Sequence, residues 1–433
     1  MSDLYTGLQS FFRHIARRRL TLALSGGIDS VVLLHLLVRA RNEWDFALDA
    51  VHIHHGLSAY ADEWSAFCEE LCVRQEVPLL VRRVRVNPEG QGVEAAARAA
   101  RYAVFAELDT DMLALAHHAD DQRETFLLAA LRGGGLAAMA AMPHSRHYRG
   151  DMQIVRPLLN ISRQQIADYA NYHGLAWVED DSNQNPRFLR NWIRCYLMPF
   201  AQKRLPHLSQ QLDAAVWQAQ EDWALFAEWL EEDWQGVCRN GFFDCVHWHG
   251  LSAPRRRRLL LEFAKRAGMG SPRRAAVENF ADVLARNPQQ AAEWSLPKGR
   301  IYACRGRLFA CSAERLAGWA WCGGKGVSAD TLVQTGGMRW LRQSCGLPSW
   351  CEENGGVVRA VQAQDRLAVG GRYKSVKKLL QEYKVPAFVR PYWPVLTDRE
   401  GRCLAVVNIG VAENLRVENG YVPIMEELKK YVF

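Results

Sequence analysis

The stretch from Leu20 to Ser30, LTLALSGGIDS, limits what this chain can fold into more than any other. An apolar run, Leu20–Leu24, has the length and composition of a buried strand. It meets a Ser-Gly-Gly turn, and the helical pattern Val31–Arg41 follows at once. Gly26 and Gly27 let the backbone approach a ligand and reach conformations closed to other residues. Ser25 and Ser30 add hydroxyls. The first amides of a helix lack intrahelical acceptors and lie at the positive end of its dipole. Strand, glycine turn and helix start therefore make a phosphate cradle from Ser25, Gly26, Gly27, Ile28, Asp29 and Ser30. No Gly-Lys-Ser/Thr follows, which excludes a Walker A loop, and the spacing is not Gly-x-Gly-x-x-Gly. Asp29 is a candidate Mg2+ ligand, because a carboxylate plus phosphate oxygens is the usual magnesium shell.

The pattern around the cradle repeats. Strand patterns at Ala50–Ile53, Pro78–Val86, Met112–Ala116 and Ile154–Leu158 alternate with helical patterns at Ser65–Glu76, Glu94–Leu108 and Asp121–Leu131. Ser162 opens a further helix, with Gln165 placed for a capping box. Strand–helix alternation predicts an α/β fold with a doubly wound parallel sheet. Ligands of such sheets bind beyond the carboxyl ends of the strands. From about Pro206 the pattern changes. Leu208–Trp234, Leu251–Ala267 and Arg273–Arg286 read as helices. Gly318–Gly337 reads as a loop-rich linker, and strand-like runs such as Leu404–Ile409 follow. The expected organisation is a catalytic domain over 1–205, a helical middle domain over 206–317 and a small mixed α/β C-terminal domain over 338–433.

A chain of 433 residues with 49% hydrophobic and 23% charged residues has enough apolar material for several cores. No apolar run reaches the roughly 20 residues that cross a bilayer. The N-terminus has no signal-peptide pattern, so the expected address is cytoplasmic, with no membrane partner. The 11 cysteines are an odd number without a Cys-x-x-Cys pair, which predicts reduced thiols. The net charge of +7 suits a polyanionic partner. The excess is clustered at Arg17–Arg19, at Arg255–Arg258 and at Lys374, Lys377, Lys378 and Lys384.

Later motifs add chemistry. VHIHHGL (Val51–Leu57) ends the second strand and carries His52 and His54. EAAARAARY (Glu94–Tyr102) sets Glu94, Arg98 and Arg101 on one helix face. LAHHADDQRET (Leu115–Thr125) brings His117 and His118 to a strand end, then Asp121 and Glu124 into the first turns of a helix. EDDSN (Glu179–Asn183) precedes RNWIR (Arg190–Arg194). Near the C-terminus come SVKKLLQEYKVP (Ser375–Pro386) and RPYWP (Arg390–Pro394).

The segment SGGIDS resembles the PP-loop of ATP pyrophosphatases, which cleave ATP between the α and β phosphates. The later motifs resemble one branch of that superfamily, the tRNA(Ile)-lysidine synthetases, or synthases. The likeness runs through about the first 200 residues and returns near the C-terminus. It departs at Ser58, where the family usually has Arg. The resemblance implies that the PP-loop holds the leaving pyrophosphate and that His52 and His54 lie near the adenosine. It implies that Arg98 reaches phosphate or the substrate base, and that Asp121 and Glu124 orient a lysine amine or magnesium. The implied substrates are ATP, free lysine and tRNA(Ile) with a CAU anticodon, and the implied protein is a monomer or homodimer. The implied reaction joins lysine to C2 of the wobble cytidine through an adenylated intermediate, releasing pyrophosphate and then AMP. The product tRNA reads AUA and is charged with isoleucine.

Two other enzyme classes share the cradle. PP-loop tRNA thiolation enzymes often use Cys-x-x-Cys pairs, which this chain lacks. Amidotransferase synthetases need an ammonia source, and no glutaminase signature is present. A non-enzymatic RNA-binding protein would keep the basic clusters and leave the other motifs idle.

Overall fold

The computed structural model describes residues 4–86, 92–179, 186, 188–239, 241–312, 318–323, 326–353 and 356–432. It divides into two compact units, Met1–Ala227 and Glu228–Phe433. The first is built on a six-stranded sheet: β1 (Arg19–Ala23), β2 (Ala47–His54), β3 (Leu79–Arg83), β4 (Met112–Ala114), β5 (Ser145–Arg149) and β6 (Met152–Val155). Their spatial order is β3-β2-β1-β4-β6-β5. All neighbours are parallel except β5 and β6.

Side-chain alternation explains why both faces are covered. Leu20, Leu22 and Leu24 join Met112 and Ala114 in one buried cluster, which also holds Leu33, Leu36 and Leu37 of the helix Ile28–Arg41. Leu113 and Leu115 point the other way, into a cluster with Val51, Ile154 and Phe105. A period-2 strand sends successive residues to opposite faces, so each face needs its own helices. The helix Ile28–Arg41 packs between the sheet and the helix Arg163–Tyr172, which explains its unbroken apolar stretch Val31–Leu34 and the apolar Leu36–Val38. The latter helix opens on the expected capping box. Ser162 Oγ accepts from the Gln165 amide at 3.3 Å, and Gln165 Oε1 accepts from the Ser162 amide at 2.9 Å.

The strand order fixes where a ligand binds. The chain leaves β1 for β2 on one side, and returns to place β4 on the other. The carboxyl ends of β1 and β4 diverge at this switch point, leaving a crevice. The register Leu20↔Met112 and Leu22↔Ala114 brings the turn after β1 beside the residues after β4.

One strand has no counterpart in the sequence pattern. β5 (SRHYR) is exposed at four of its five positions and pairs antiparallel at the sheet edge. With no buried face it shows no apolar alternation. Its charges also discourage pairing with another chain.

In the second unit, the middle segment carries the helices Ala253–Arg266 and Arg274–Arg286 and also a five-stranded antiparallel sheet. Its strands Ala292–Leu296, Gly299–Cys304 and Arg307–Cys311 are joined by tight turns. A second five-stranded sheet is centred on Val357–Ala360, Pro394–Thr397 and Cys403–Val406. The linker expected over Gly318–Gly337 is corrected where it is described. Trp321, Ala329 and Leu332 are buried in the core of that sheet, and Trp321 Nε1 donates to the Tyr392 carbonyl at 3.0 Å. Its glycines mask three core anchors.

The basic clusters differ in what they leave open. Arg19 bonds to Asp49 and Asp109, and Arg255 pairs with Asp233. Lys377, Lys378 and Lys384 are exposed around the buried Val376, Leu379 and Leu380. Among the described residues, no helix is long and apolar enough to cross a membrane.

Candidate active site at the sheet switch point

The cradle is held by its own hydroxyls. Ser30 Oγ donates to the Gly27 carbonyl at 2.9 Å and accepts from the Ser25 amide at 3.2 Å. Ser25 Oγ accepts from the Gly27 amide at 3.3 Å. Gly27 is the N-cap of the following helix. Having no side chain, it cannot cap the amides of Ile28, Asp29 and Ser30, which stay available to an anion.

Gly26 has φ +86°, and a Cβ there would lie 2.9 Å from Val178 Cγ2 and 3.1 Å from Cys68 Sγ. Its carbonyl accepts from the Val178 amide at 3.0 Å, which leaves the turn little room to shift. Gly26→Ala is therefore expected to destabilise the first unit by about 1–3 kcal/mol. A thermal melt checks this, and an unchanged midpoint would mean that the turn yields.

Across the crevice, His118 is only 2% exposed. Its Nε2 lies 3.7 Å from Asp29 Oδ1 and 3.6 Å from Asp121 Oδ2. The imidazole thus stands between the PP-loop carboxylate and that of the second motif. Asp29 Oδ1 is buried without a hydrogen-bond partner among the described residues. Burial raises the Asp29 pKa above its ordinary value, over the opposing pull of His118. An unsatisfied, desolvated carboxylate oxygen beside an anion cradle is a fit place for a cation. Among the described residues no group of three or more His, Cys, Asp or Glu could hold a metal by itself. A cation here would need ligand oxygens from a phosphate.

Asp121 and Glu124 are clamped by two arginines. Glu124 Oε1 accepts from Arg194 Nε at 2.6 Å, and Oε2 accepts from Arg190 Nε at 2.8 Å and Arg194 Nη2 at 2.9 Å. Asp121 Oδ1 accepts from Arg190 Nη2 at 2.9 Å and Arg194 Nη2 at 3.3 Å. Asp121 Oδ2 accepts from the His118 amide at 3.1 Å, starting the helix Ala119–Leu131. Burial works to raise the Asp121 pKa, but His118 and Arg190 foremost outweigh it and bring it below the ordinary value. The neighbouring carboxylate Asp120 is structural. It bonds to Arg123 at 2.9 Å and accepts from the Arg163 amide at 2.8 Å. The Thr125 hydroxyl bonds back to the Asp121 carbonyl at 2.7 Å.

A cationic wall adjoins these acids. Arg98 stacks over Tyr102, with the guanidinium carbon 4.8 Å from the ring centre, and its Nη2 donates to the Tyr102 hydroxyl at 3.3 Å. Arg146 approaches the same ring at 5.6 Å. Arg156 is 3% exposed, donates to the Pro143 carbonyl at 2.7 Å and keeps a buried, unpartnered Nε. Burial lowers the His117 pKa, and Arg156, Arg190 and Arg101 lower it further against Asp121. His117 is thus a neutral imidazole that feels all three cations.

The other histidines take different places. His52 Nδ1 donates to the Leu24 carbonyl at 2.9 Å, and burial holds the ring neutral by lowering its pKa. This bond braces the strand end just before the cradle. His54 Nε2 lies 3.2 Å from Asp62, which also accepts from Arg83 at 2.8 Å. His54 is buried beside the exposed Asp62–Arg83 pair at the ends of β2 and β3. The motif residues Asp181, Ser182 and Asn183 lie outside the described residues, as does the side chain of Glu94.

The structure thus joins Ser25–Ser30, His117, His118, Asp121, Glu124, Arg190 and Arg194 into one site, with Arg98 on its cationic wall. Arg146 was missed in the sequence because it sits on the edge strand that leaves no pattern.

A PP-loop domain model matches residues 2–201, a TilS substrate binding domain matches 243–309 and a TilS substrate C-terminal domain matches 357–424. The tRNA(Ile)-lysidine synthase of Neisseria gonorrhoeae is 42% identical over 94% of this chain and 92% of its own length. That of Chromobacterium violaceum is 37% identical over 92% and 93%. The chain belongs to the tRNA(Ile)-lysidine synthase family. Another member, from Serratia proteamaculans, is 34% identical over 94% of this chain. Membership implies that the chain uses ATP, as PP-loop proteins do, and that its substrate is a tRNA. The thiolation alternative has no such support among these synthase relatives.

Proposed function

We propose that the chain ligates free lysine to C2 of the wobble cytidine in tRNA(Ile) bearing a CAU anticodon. The observation that carries this reading is the meeting of two unlike binding surfaces across His118. An anion cradle ends at Asp29, and an arginine-clamped pair of acids begins at Asp121. The first suits the phosphates of ATP and the second an ammonium.

The cytidine C2 oxygen is a poor leaving group. Attack of that oxygen on the ATP α-phosphate forms a C2–O–AMP ester, and pyrophosphate leaves into the Ser25–Ser30 cradle. The lysine ammonium first gives one proton to solvent, the neutral ε-amine then attacks C2, the C2–O bond breaks as AMP departs with the oxygen, and the new C–N nitrogen gives a second proton to solvent. The backbone amides of Ile28–Ser30 stabilise the charge that develops on the leaving pyrophosphate. Asp29 would hold Mg2+ together with phosphate oxygens, and the metal would neutralise phosphate charge.

Asp121 and Glu124 hold and aim the lysine ammonium. The depressed pKa of Asp121 makes it an orienting group and a weak base. Arg98, with Tyr102, faces the phosphate or the base of the target nucleotide. His52 braces the strand before the cradle, and His54 lies toward the adenosine side. The segments 206–317 and 338–433 bind the tRNA body, the exposed lysines 377, 378 and 384 through phosphates that position without reading sequence. The enzyme works in the cytoplasm as a monomer or homodimer.

Radiolabelled lysine transfer to a CAU-anticodon isoleucine tRNA tests the reading. ATP-dependent incorporation is expected, with one AMP released per lysine. AMP release that depends on tRNA without lysine incorporation would overturn the choice of nucleophile and favour sulfur or ammonia.

A further inference from the structure

Four aromatic side chains recur at intervals of four on the segment that supplies Arg190 and Arg194. Phe188, Trp192, Tyr196 and Phe200 are 40%, 40%, 55% and 77% exposed. The backbone beneath them is the helix Leu189–Trp192, a π-helical turn Ile193–Leu197 and the helix Met198–Arg204. Its other side is the buried one. Ile193 and Met198 pack with Leu212, Phe126, Leu127 and Leu197. In an α-helix, positions four apart drift around the axis by about 40° per step. A π-helical turn takes up an extra residue, which offsets that drift between Trp192 and Tyr196. The wide turn thus helps hold the rings along one side.

Large aromatic rings in a row on the surface are unfavourable unless something covers them. The surrounding charge says what does. No residue from 182 to 212 is acidic, and Lys203 and Arg204 are exposed at the end of the row. Arg190 and Arg194, on the same segment, hold Asp121 and Glu124 of the site. The row and the clamp thus share one segment, about half a helical turn apart around it.

We propose that Phe188, Trp192, Tyr196 and Phe200 form a stacking platform for the unpaired bases that flank the target cytidine in the anticodon loop. This rests on the reading that the substrate is a tRNA. An enzyme that splays one loop base into its site leaves the neighbouring bases unstacked. Aromatic faces accept any base, while Lys203 and Arg204 meet the phosphates between them.

The test uses the full-length protein and a labelled anticodon stem-loop with a CAU loop, followed by fluorescence anisotropy. Trp192→Ala and Tyr196→Ala are each expected to weaken binding about 5- to 150-fold. Trp192→Phe should restore most of the affinity. In lysine transfer, KM for tRNA should rise while KM for ATP stays unchanged. Phe200→Ala, at the most exposed ring, repeats the test where folding is least at risk. Alanine variants that bind the stem-loop as the wild type does, in an enzyme that still transfers lysine, would overturn the platform and leave the ligase reading intact. Conversely, a wild-type chain that transfers no lysine but loses RNA affinity in these variants would uphold the platform and sink the ligase. A shift from dimer to monomer in sedimentation, with RNA affinity unchanged, would make the row a contact between copies and also overturn the proposal.

Discussion

Asp29→Asn is expected to lower lysine transfer by about 10²–10³-fold, the loss typical of one electrostatic group at a reacting centre, and at the same time to raise the melting temperature at neutral pH. The two effects share one cause. Asp29 Oδ1 is buried without a hydrogen-bond partner among the described residues, and burial raises its pKa above the ordinary value of 3.8. A carboxyl whose folded pKa is raised opposes folding while it is ionised in both states. That penalty is present above the folded pKa and is relieved as pH falls through it toward 3.8. Asparagine has the same shape and no charge, so it removes the penalty. The gain in melting temperature should accordingly be largest at neutral pH and shrink as the pH is lowered toward the ordinary carboxylate range. Melting curves of the wild type and Asp29→Asn across that range check the sign. A variant less stable than the wild type at neutral pH would mean that the charge is already compensated in the free protein. The trade of stability for function fits a carboxylate kept for a cation that arrives with the nucleotide.

The fold of the first unit was legible in the sequence because its central strands are buried on both faces. Leu20–Leu24 is apolar but for Thr21, Met112–Ala116 is apolar throughout, and the glycine turn after the first of them marks the cradle without a structure. β5 was not legible, since SRHYR buries nothing. The middle sheet was hidden for another reason: its strands are short and separated by glycine turns, and helical periods flank them. In the site, the string LAHHADDQRET already brought His117, His118, Asp121 and Glu124 together, since they are close in sequence. What the sequence could not give is the clamp. Arg190 and Arg194 lie more than sixty residues from the acids they hold, and spacing along the chain carries no information about such a pair. The sequence also left His52 and His54 equivalent. Their partners set them apart, the Leu24 carbonyl for His52 and Asp62 for His54.

Glu124→Gln is expected to unsettle the first unit and to stop lysine transfer together, because the same arginine clamp orders the fold and aims the acids. The Glu124 side chain is 3% exposed, and both its oxygens accept from guanidinium groups. Glutamine keeps the shape but offers one acceptor oxygen and no charge, leaving Arg190 and Arg194 to share Asp121. Breaking a buried ion pair on one side costs about 3–5 kcal/mol. The arginines are 29% and 25% exposed, so water takes up part of the loss and the lower end, about 3 kcal/mol, applies. For a unit of this size that corresponds to a fall in melting temperature of about 6–12 °C. A residue that only touched the lysine ammonium would behave otherwise. Its glutamine variant would raise KM for lysine and leave the melting temperature alone. The double variant Glu124→Gln with Arg194→Gln separates the two. If the clamp is what orders the segment, the second substitution adds much less than its own single effect, because its partner has already gone. Strict additivity, or a single Glu124→Gln variant that melts with the wild type, would show that the helix Ala119–Leu131 and the segment Leu189–Arg204 hold together through their apolar contacts alone. Glu124 would then be assigned to the lysine and to nothing else.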